Sequence, residues 1–264
     1  MFAGSDILEI GFPKPKVMLA RLKRSEVLNA VNTALGHDIL RLFDEASGGG
    51  DDIRCIVLTG SGDRAFCVGG DLKERATMDD GAWQAQHIVF EKMMRALLEC
   101  PVPVIAAVNG HAYGGGCEIA AACDVIYASQ DARFALTEVT LGIIPGCGGT
   151  QTLSRAVGQK RANELIMTGS PFSAQEALAW GLVNRVLPAG ELLDAALETA
   201  ARIAGNAPLA VQRAKQAIRR GVEMSLPDGM GFEIEAYNRL VHTKDRYEGV
   251  RAFNERRRPD FKGE

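Results

Sequence analysis

The stretch Pro103-Val-Ile-Ala-Ala-Val-Asn-Gly-His-Ala-Tyr-Gly-Gly-Gly-Cys-Glu118 decides the fold of this chain. Its apolar part, Val104 to Val108, is shorter than a typical helix and predicts a buried strand. The pair Asn109-Gly110 predicts a turn directly after that strand. Three glycines then lead into an apolar helix that begins near Glu118. The stretch therefore predicts a strand, a turn and a helix, with bare backbone at the helix start.

The start of this helix is a candidate site for chemistry. Backbone N–H groups in a first helical turn have no acceptor within the helix, so they can stabilise a developing negative charge. A lone Glu118 in that turn would be explained by the helix dipole. Glu138 supplies a second carboxylate, ahead of the glycine-rich segment Leu141–Gln151. Two carboxyl groups that share a water can act as general base and general acid, because proximity moves their pKa values apart.

Three motifs in this sequence resemble the crotonase (enoyl-CoA hydratase/isomerase) superfamily. They read Ala65-Phe-Cys-Val-Gly-Gly-Asp-Leu-Lys73, Asn109-Gly-His-Ala-Tyr-Gly-Gly-Gly-Cys-Glu118 and Glu138-Val-Thr-Leu-Gly-Ile-Ile-Pro-Gly-Cys-Gly-Gly-Thr-Gln151. The motifs occur in the family's order and at its spacing, and the resemblance extends from about Val17 to the C-terminus. It implies an α/β fold built as a spiral of ββα units, followed by a C-terminal helical subdomain.

The chain beyond Pro188 reads as helices only, whereas the part before it alternates strands and helices. We therefore place the spiral core at residues 1–190 and the C-terminal helical subdomain at residues 191–264. Helices are predicted there at Glu191–Ala204, Pro208–Gly221, Leu226–Val241 and Asp245–Arg256. The resemblance implies that this subdomain assembles the protein into a homo-oligomer, either a trimer or a dimer of trimers.

The resemblance also implies roles for individual residues. Glu118 would chiefly activate a water, and Glu138 would transfer the proton at the α-carbon. The backbone N–H groups of Gly70 and Gly115 would form an oxyanion hole for the thioester oxygen, although many relatives have alanine in place of Gly70. Substrate contacts are implied for Ala65, Val68, Gly70, Asp71, Leu72, Lys73 and Gly115.

The function that the resemblance implies is that of an enoyl-CoA hydratase in fatty acid and lipid metabolism. Such an enzyme adds water reversibly to a trans-2-enoyl-CoA and yields a 3-hydroxyacyl-CoA. One alternative is an enoyl-CoA delta isomerase, which can work with one carboxylate. Another is the methylglutaconyl-CoA hydratase branch, which Asp71-Leu-Lys-Glu-Arg75 and the C-terminal Phe261-Lys-Gly-Glu264 resemble. An inactive scaffold or RNA-binding member fits less well, because both acidic residues are present.

Charge and composition exclude several other classes of function. The 264 residues carry a net charge of −3, from 30 basic and 33 acidic side chains. This charge provides no basic face for nucleic acid. No apolar run approaches the roughly 18 residues that a membrane span requires. The first nine residues resemble neither a signal nor a transit peptide. We therefore expect a cytoplasmic protein with neither nucleic acid nor membrane as its partner.

The cysteines and histidines give no sign of a metal or a disulfide framework. Six cysteines contain no C-x-x-C pair, and four histidines contain neither an H-E-x-x-H motif nor an i, i+4 pair. We expect reduced, buried thiols and no metal site. No cofactor is expected, since coenzyme A is part of the implied substrate. The P-loop, dinucleotide-binding and serine-nucleophile motifs are absent as well.

Local patterns predict the remaining elements that matter for the site. Val17–Leu22 and Arg54–Thr59 predict strands joined by a helix that Ser25 would cap, and this order predicts a parallel sheet. Residues 81–100 predict a helix with an apolar stripe. The stripe favours core packing, while the resemblance implies contact with the acyl pocket. Ser173 and Glu176 predict a capping box at a later helix.

Overall fold

The computed structural model describes residues 3–49 and 52–264, within which ten strands form two sheets. The strands are β1 (Leu8–Lys14), β2 (Val17–Leu22), β3 (Cys55–Gly60), β4 (Ala65–Cys67), β5 (Val104–Val108), β6 (His111–Tyr113), β7 (Val125–Ser129), β8 (Arg133–Ala135), β9 (Phe172–Ser173) and β10 (Arg185–Leu187). The larger sheet has the order β1-β2-β3-β5-β7-β10, and the smaller sheet has the order β4-β6-β8-β9.

Helices connect and cover these sheets. They are α1 (Thr33–Ser47), α2 (Leu72–Arg75), α3 (Asp80–Glu99), α4 (Gly115–Ala122), α5 (Gly149–Val157), α6 (Gln159–Thr168), α7 (Ala174–Ala179), α8 (Ala189–Ala204), α9 (Pro208–Gly221), α10 (Leu226–Asn238) and α11 (Lys244–Asn254). Two short 3-10 helices lie at Ser25–Val27 and Glu138–Leu141.

The chain passes repeatedly from one sheet to the other. In the pairs β3–β4, β5–β6 and β7–β8, the first strand lies in the larger sheet, the second lies in the smaller sheet, and a helix follows. Neighbouring strands are parallel throughout both sheets, except that β1 and β9 pair antiparallel at the edges. This arrangement confirms the predicted α/β fold and its spiral of ββα units.

Both faces of the larger sheet are covered, so its central strands β3 and β5 are buried along their whole length. The helix α8 covers one face, where Leu192, Ala196 and Ala200 pack with Val57 and Ile105. Burying an aliphatic side chain of the size of leucine contributes about 1.5–3 kcal/mol. The first helix of the predicted C-terminal subdomain therefore packs on the core sheet. The division of the chain at residue 190 stays a prediction.

The first helix begins later than the sequence predicts. Helix α1 starts at Thr33 and is capped by Asn32, whereas Ser25 begins the short 3-10 helix. Leu28 and Asn29 have φ values of 55° and 56°, which a right-handed helix cannot contain. The buried Asn29 side chain holds this turn by hydrogen bonds to the backbone N–H of Arg24 and to two carbonyls of a distant segment, those of Ser61 and Ala65. The prediction that Ser25 caps the helix was therefore wrong.

Other local predictions agree with the structure. The capping box is confirmed, because Ser173 Oγ accepts from the Glu176 N–H at 3.2 Å and the Glu176 carboxylate accepts from the Ser173 N–H at 2.7 Å. Strand β6 and helix α6 were not predicted. Strand β6 has three residues, too few for a recognisable pattern, and it lies between the predicted turn and the glycine triplet.

Candidate active site

A cavity of about 900 Å³ lies where three parallel strands of the smaller sheet end. Residues that directly follow β4, β6 and β8 line it, namely Val68, Gly69, Gly70, Gly114, Gly115, Thr137 and Glu138. Ligand sites in α/β proteins commonly lie at the carboxyl ends of parallel strands. Glu118 and the segment 143–147 line the same cavity. The structure thus brings both predicted glutamates and both predicted backbone donors to one place.

Glu118 is held in a fixed position in the first turn of α4. Only 2% of the residue is exposed, and its Oε1 accepts hydrogen bonds from the N–H groups of Cys147 and Gly149 at 2.8 Å each. Gly149 is the first residue of α5, so this carboxylate lies at a helix N-terminus that favours negative charge. A Cβ on Gly149 would lie 2.9 Å from Glu118 Cγ. Only glycine permits this approach.

Glu138 follows strand β8, and its side chain lies against the glycines at the start of α4. It begins the 3-10 helix 138–141 and is 9% exposed. Its Oε1 lies 3.2 Å from the position that a Cβ would take on Gly114. Gly114 has a φ of 50°, which also favours glycine. Glu138 Oε2 is buried and has no hydrogen-bond partner among residues 3–49 and 52–264. No hydrogen bond to another residue therefore has to break before this oxygen takes part in a proton transfer.

Burial raises the pKa of both carboxyl groups. Burial moves the pKa of Glu118 to about 7, the Gly149 N–H opposes this rise, and the charge of Glu138 adds to it. Burial also raises the pKa of Glu138, against the opposing effects of its own backbone N–H and of the Arg75 charge. Two buried carboxyls with raised pKa values, that of Glu118 at about 7, can both accept and donate a proton.

We expect Glu118→Gln to raise the free energy of unfolding at pH 8. The Glu118 pKa is about 7 in the folded protein and has an ordinary value of 4.5. Between these two pH values the folded state therefore binds more protons than the unfolded state. Stability therefore falls as pH rises from 4.5 towards 7, which corresponds to a loss of about 3 kcal/mol. The amide of the Glu118→Gln variant does not titrate, so this variant does not lose stability in that way as pH rises.

Urea unfolding at pH 5 and pH 8 measures this effect, with the exposed Glu164→Gln as the control. The difference between Glu118→Gln and the wild type should be larger at pH 8 than at pH 5. A difference that does not change with pH would contradict the raised pKa.

The two predicted backbone donors lie next to each other. Neither the Gly70 N–H nor the Gly115 N–H donates a hydrogen bond to any residue that the structure describes. A Cβ on Gly115 would lie 3.9 Å from Gly70 N and 4.0 Å from Glu118 Oε2. The φ of Gly69 is 89°, which turns the chain so that the segment passes close to Gly115. Two unpaired donors on adjacent segments suit a single developing oxyanion.

The other predicted substrate contacts fall into two groups. Val68 and Leu72 line the cavity. Ala65, Asp71 and Lys73 are not among its lining residues. Ala65 is buried in β4, and Asp71 caps α2 and pairs with an arginine at 2.9 Å. Asp71 thus has a structural role, and a contact of these three residues with substrate stays a prediction.

Sequence reasoning missed some groups at the cavity. Arg75, at the end of α2, lines it, although the sequence marked this residue only as part of a sub-family motif. The backbone donors to Glu118 were also missed, and the only available sign was the second glycine-rich helix start before α5. Helix α3 contributes Trp83 and His87 to the cavity while Met94 is buried in the core. Helix α3 therefore contributes side chains both to the core and to the wall of the cavity, as the two interpretations of its apolar stripe predict.

Residues 14–264 match the sequence family described as enoyl-CoA hydratase/isomerase. The chain belongs to this family. The match includes all three motifs that line or support the cavity, and it confirms the resemblance to the crotonase superfamily.

Several members of the enoyl-CoA hydratase/isomerase family are similar over nearly the whole chain. A 2,3-dehydroadipyl-CoA hydratase of Escherichia coli is 42% identical over 250 residues, covering 94% of this chain and 96% of that protein. A short-chain-enoyl-CoA hydratase of Clostridium acetobutylicum is 42% identical over 246 residues, covering 92% of this chain and 93% of that protein. The crystal structure of an enoyl-CoA hydratase from Bacillus anthracis has a TM-score of 0.95 at 43% identity, covering 98% of this chain and all of that one.

The described part of this family member contains neither a membrane-spanning helix nor a cluster of metal-ligating side chains. None of its helices combines the length and apolarity needed to cross a membrane. Nor do residues 3–49 and 52–264 gather three or more histidine, cysteine or acidic side chains that could hold a metal ion. The expectation that no cofactor is needed stays a prediction.

Proposed function

We propose that this protein is an enoyl-CoA hydratase, a hydro-lyase that adds water reversibly to a trans-2-enoyl-CoA. The observation that carries the proposal is that one cavity holds two buried carboxyls with raised pKa values beside two unpaired backbone donors. Relatives that are 42% identical over nearly the full length are named hydratases, which supports the proposal.

The backbone donors stabilise the substrate as it becomes an enolate. The thioester oxygen accepts hydrogen bonds from the N–H groups of Gly70 and Gly115, which polarise the enoyl system and make C3 electrophilic. Each such donor typically contributes about 3–4 kcal/mol to the transition state. Because the glycines present no side chains, the thioester can approach both donors closely.

The two glutamates move the protons. Glu118, anchored through Oε1, and Glu138 hold a water between them. The water oxygen bonds to C3 as one of its protons passes to a carboxylate, chiefly that of Glu118. Glu138 delivers a proton to C2, and the product is the 3-hydroxyacyl-CoA. One carboxyl must be protonated and the other ionised at the outset, which the raised pKa values of both groups favour.

Crotonyl-CoA tests this proposal directly. We expect loss of the enoyl absorbance and formation of 3-hydroxybutyryl-CoA, without added metal. The isomerase alternative predicts activity on a 3-enoyl-CoA and little hydration. The paired carboxylates favour the hydratase, because isomerisation can proceed with one. A protein that hydrates no enoyl-CoA would overturn the proposal and favour the scaffold alternative.

We place the protein in the cytoplasm and in fatty acid metabolism as part of the same proposal. All six cysteines are free, and four of them are buried, which supports a reducing compartment. Its substrate is an acyl-CoA thioester, and neither nucleic acid nor membrane is proposed as a partner.

We also propose that the protein is a trimer or a dimer of trimers. Helices α9 to α11 and their connections expose a series of large apolar side chains: Ile218, Val222, Met224, Leu226, Met230, Ile234, Tyr237, Tyr247, Val250 and Phe253. Exposed apolar groups in such number mark an interaction surface. The C-terminal helices therefore supply the proposed interface.

Light scattering should give three or six times the chain mass of 28.3 kDa. Since the exposed side chains are apolar, the mass should remain the same at 1 M salt, which screens charge contacts. A mass equal to one chain at working concentration would contradict the proposal, and dissociation by salt would contradict an apolar interface.

A further inference from the structure

A cationic side chain faces the cavity beside the proposed oxyanion hole. Arg75 lines the cavity, and its Cζ lies 3.1 Å from the position that a Cβ would take on Gly70. The guanidinium therefore lies against the backbone that is proposed to bind the thioester oxygen. No step of the hydration described above uses this group.

Arg75 is held in place by its neighbours. Its Nε donates to Gln86 Oε1 at 2.8 Å, and its Cζ lies 4.4 Å from the centre of the Trp83 ring and 5.4 Å from that of Phe90. Gln86 is 2% exposed, and its Nε2 donates to the Glu74 carboxylate at 2.7 Å. Stacking and a tethered Nε fix the guanidinium plane before any ligand binds.

The far end of the guanidinium has no acceptor. Among the residues that the structure describes, neither terminal nitrogen of Arg75 donates a hydrogen bond, and no carboxylate lies at salt-bridge distance. Glu74 is engaged by Gln86 and by the Thr33 N–H. Burial lowers the pKa of Arg75, because the cavity wall disfavours an unpaired charge. A half-buried, fixed and unpaired guanidinium is suited to binding an anion.

We propose that Arg75 binds a carboxylate at the far end of the acyl chain, so that the preferred substrates are short enoyl-CoA thioesters of dicarboxylic acids. This inference rests on the function proposed above and names its substrate class. The chain must be short, since Arg75 lies next to Gly70. A neutral chain would leave the guanidinium unpaired against apolar atoms. A terminal carboxylate pairs with the guanidinium, and this attraction offsets the repulsion of the carboxylate by Glu118 and Glu138.

Two other roles for Arg75 make different predictions. Its charge opposes the rise in the pKa of Glu138, so it could serve the acid–base pair, and its place over Gly70 could serve the oxyanion. Either role would affect neutral and anionic substrates equally. Only recognition of the acyl carboxylate affects the anionic substrate selectively.

Kinetics with glutaconyl-CoA and crotonyl-CoA separate these roles. We expect the wild type to prefer glutaconyl-CoA, and Arg75→Met to lower the ratio of the two kcat/KM values on the order of 10²-fold. The loss should lie mainly in KM, because the contact exists in the ground state as well as in the transition state. Arg75→Lys keeps the charge without the planar fork, so its loss should be smaller. Arg161→Met is the matched control, since Arg161 also stacks on a tryptophan, at 4.5 Å, but lies outside the cavity.

Calorimetry with glutaryl-CoA and butyryl-CoA gives a readout that needs no turnover. Tighter binding of glutaryl-CoA by the wild type, lost in Arg75→Met and kept in Arg161→Met, would support the proposal. Equal losses for both ligands, or an unchanged ratio, would overturn it. If no enoyl-CoA is hydrated, the proposed function fails, while the comparison of the two Kd values still decides whether Arg75 recognises a carboxylate.

Discussion

Glu138→Gln is expected to lower kcat for crotonyl-CoA hydration by roughly 10²–10⁴-fold, and Glu118→Gln by a similar factor. In each variant the amide keeps the shape of the side chain but can neither take up nor release the proton that hydration requires. Glu138 has one buried oxygen without a partner among the described residues, and the glutamine oxygen can still accept from the backbone N–H of residue 138. The fold should therefore tolerate the change.

Binding of butyryl-CoA distinguishes lost chemistry from lost structure. We expect both variants to bind it with a Kd close to that of the wild type, and the exposed Glu164→Gln to retain full activity. A Glu138→Gln enzyme with full hydratase activity would remove Glu138 from the mechanism. If Glu118→Gln loses hydration but isomerises a 3-enoyl-CoA, Glu138 alone would suffice for proton transfer at the α-carbon.

The parts of the site that the sequence predicts are those encoded locally. Strand β5, the glycine triplet and the start of α4 follow one another within sixteen residues, from Pro103 to Glu118, so periodicity and glycine content are sufficient to predict them. The ββα units came from the resemblance, because the short strand β6 was not predicted from local patterns. The resemblance added what local patterns lack, namely that Gly70 and Glu138 belong to the same site.

What the sequence did not predict depends on contacts between distant segments. The left-handed turn at Leu28 and Asn29 exists because the Asn29 side chain bonds to Ser61 and Ala65, more than thirty positions later. The position of Arg75 depends on Gln86 and Trp83 of another helix. No periodicity carries such information, because each of these side chains is placed by its tertiary partners rather than by its own element.

Gly115→Val is expected to lower hydratase activity by two or more orders of magnitude while Glu118 and Glu138 remain. A Cβ at this position would lie 3.4 Å from Gly69 Cα and 4.0 Å from Glu118 Oε2, so the branched side chain would project into the space that the thioester needs. Blocking one oxyanion donor alone typically costs about 10²–10³ in kcat. Positive φ belongs to Gly114 rather than to Gly115, so the loss comes from occlusion and not from backbone strain.

Two further glycine variants make this result specific to the oxyanion hole. Gly190→Val places the same side chain in the first turn of another helix, where nothing lies within 4 Å of the new Cβ, and it should remain active. Gly70→Ala keeps its N–H and should be far milder than Gly115→Val. Its methyl group would lie 3.1 Å from Arg75 Cζ, so the guanidinium must shift by a few tenths of an ångström, and the residual loss should be larger for glutaconyl-CoA than for crotonyl-CoA. If Gly70→Ala were as inactive as Gly115→Val, or if Gly115→Val were folded and fully active, these two backbone groups would not form the oxyanion hole.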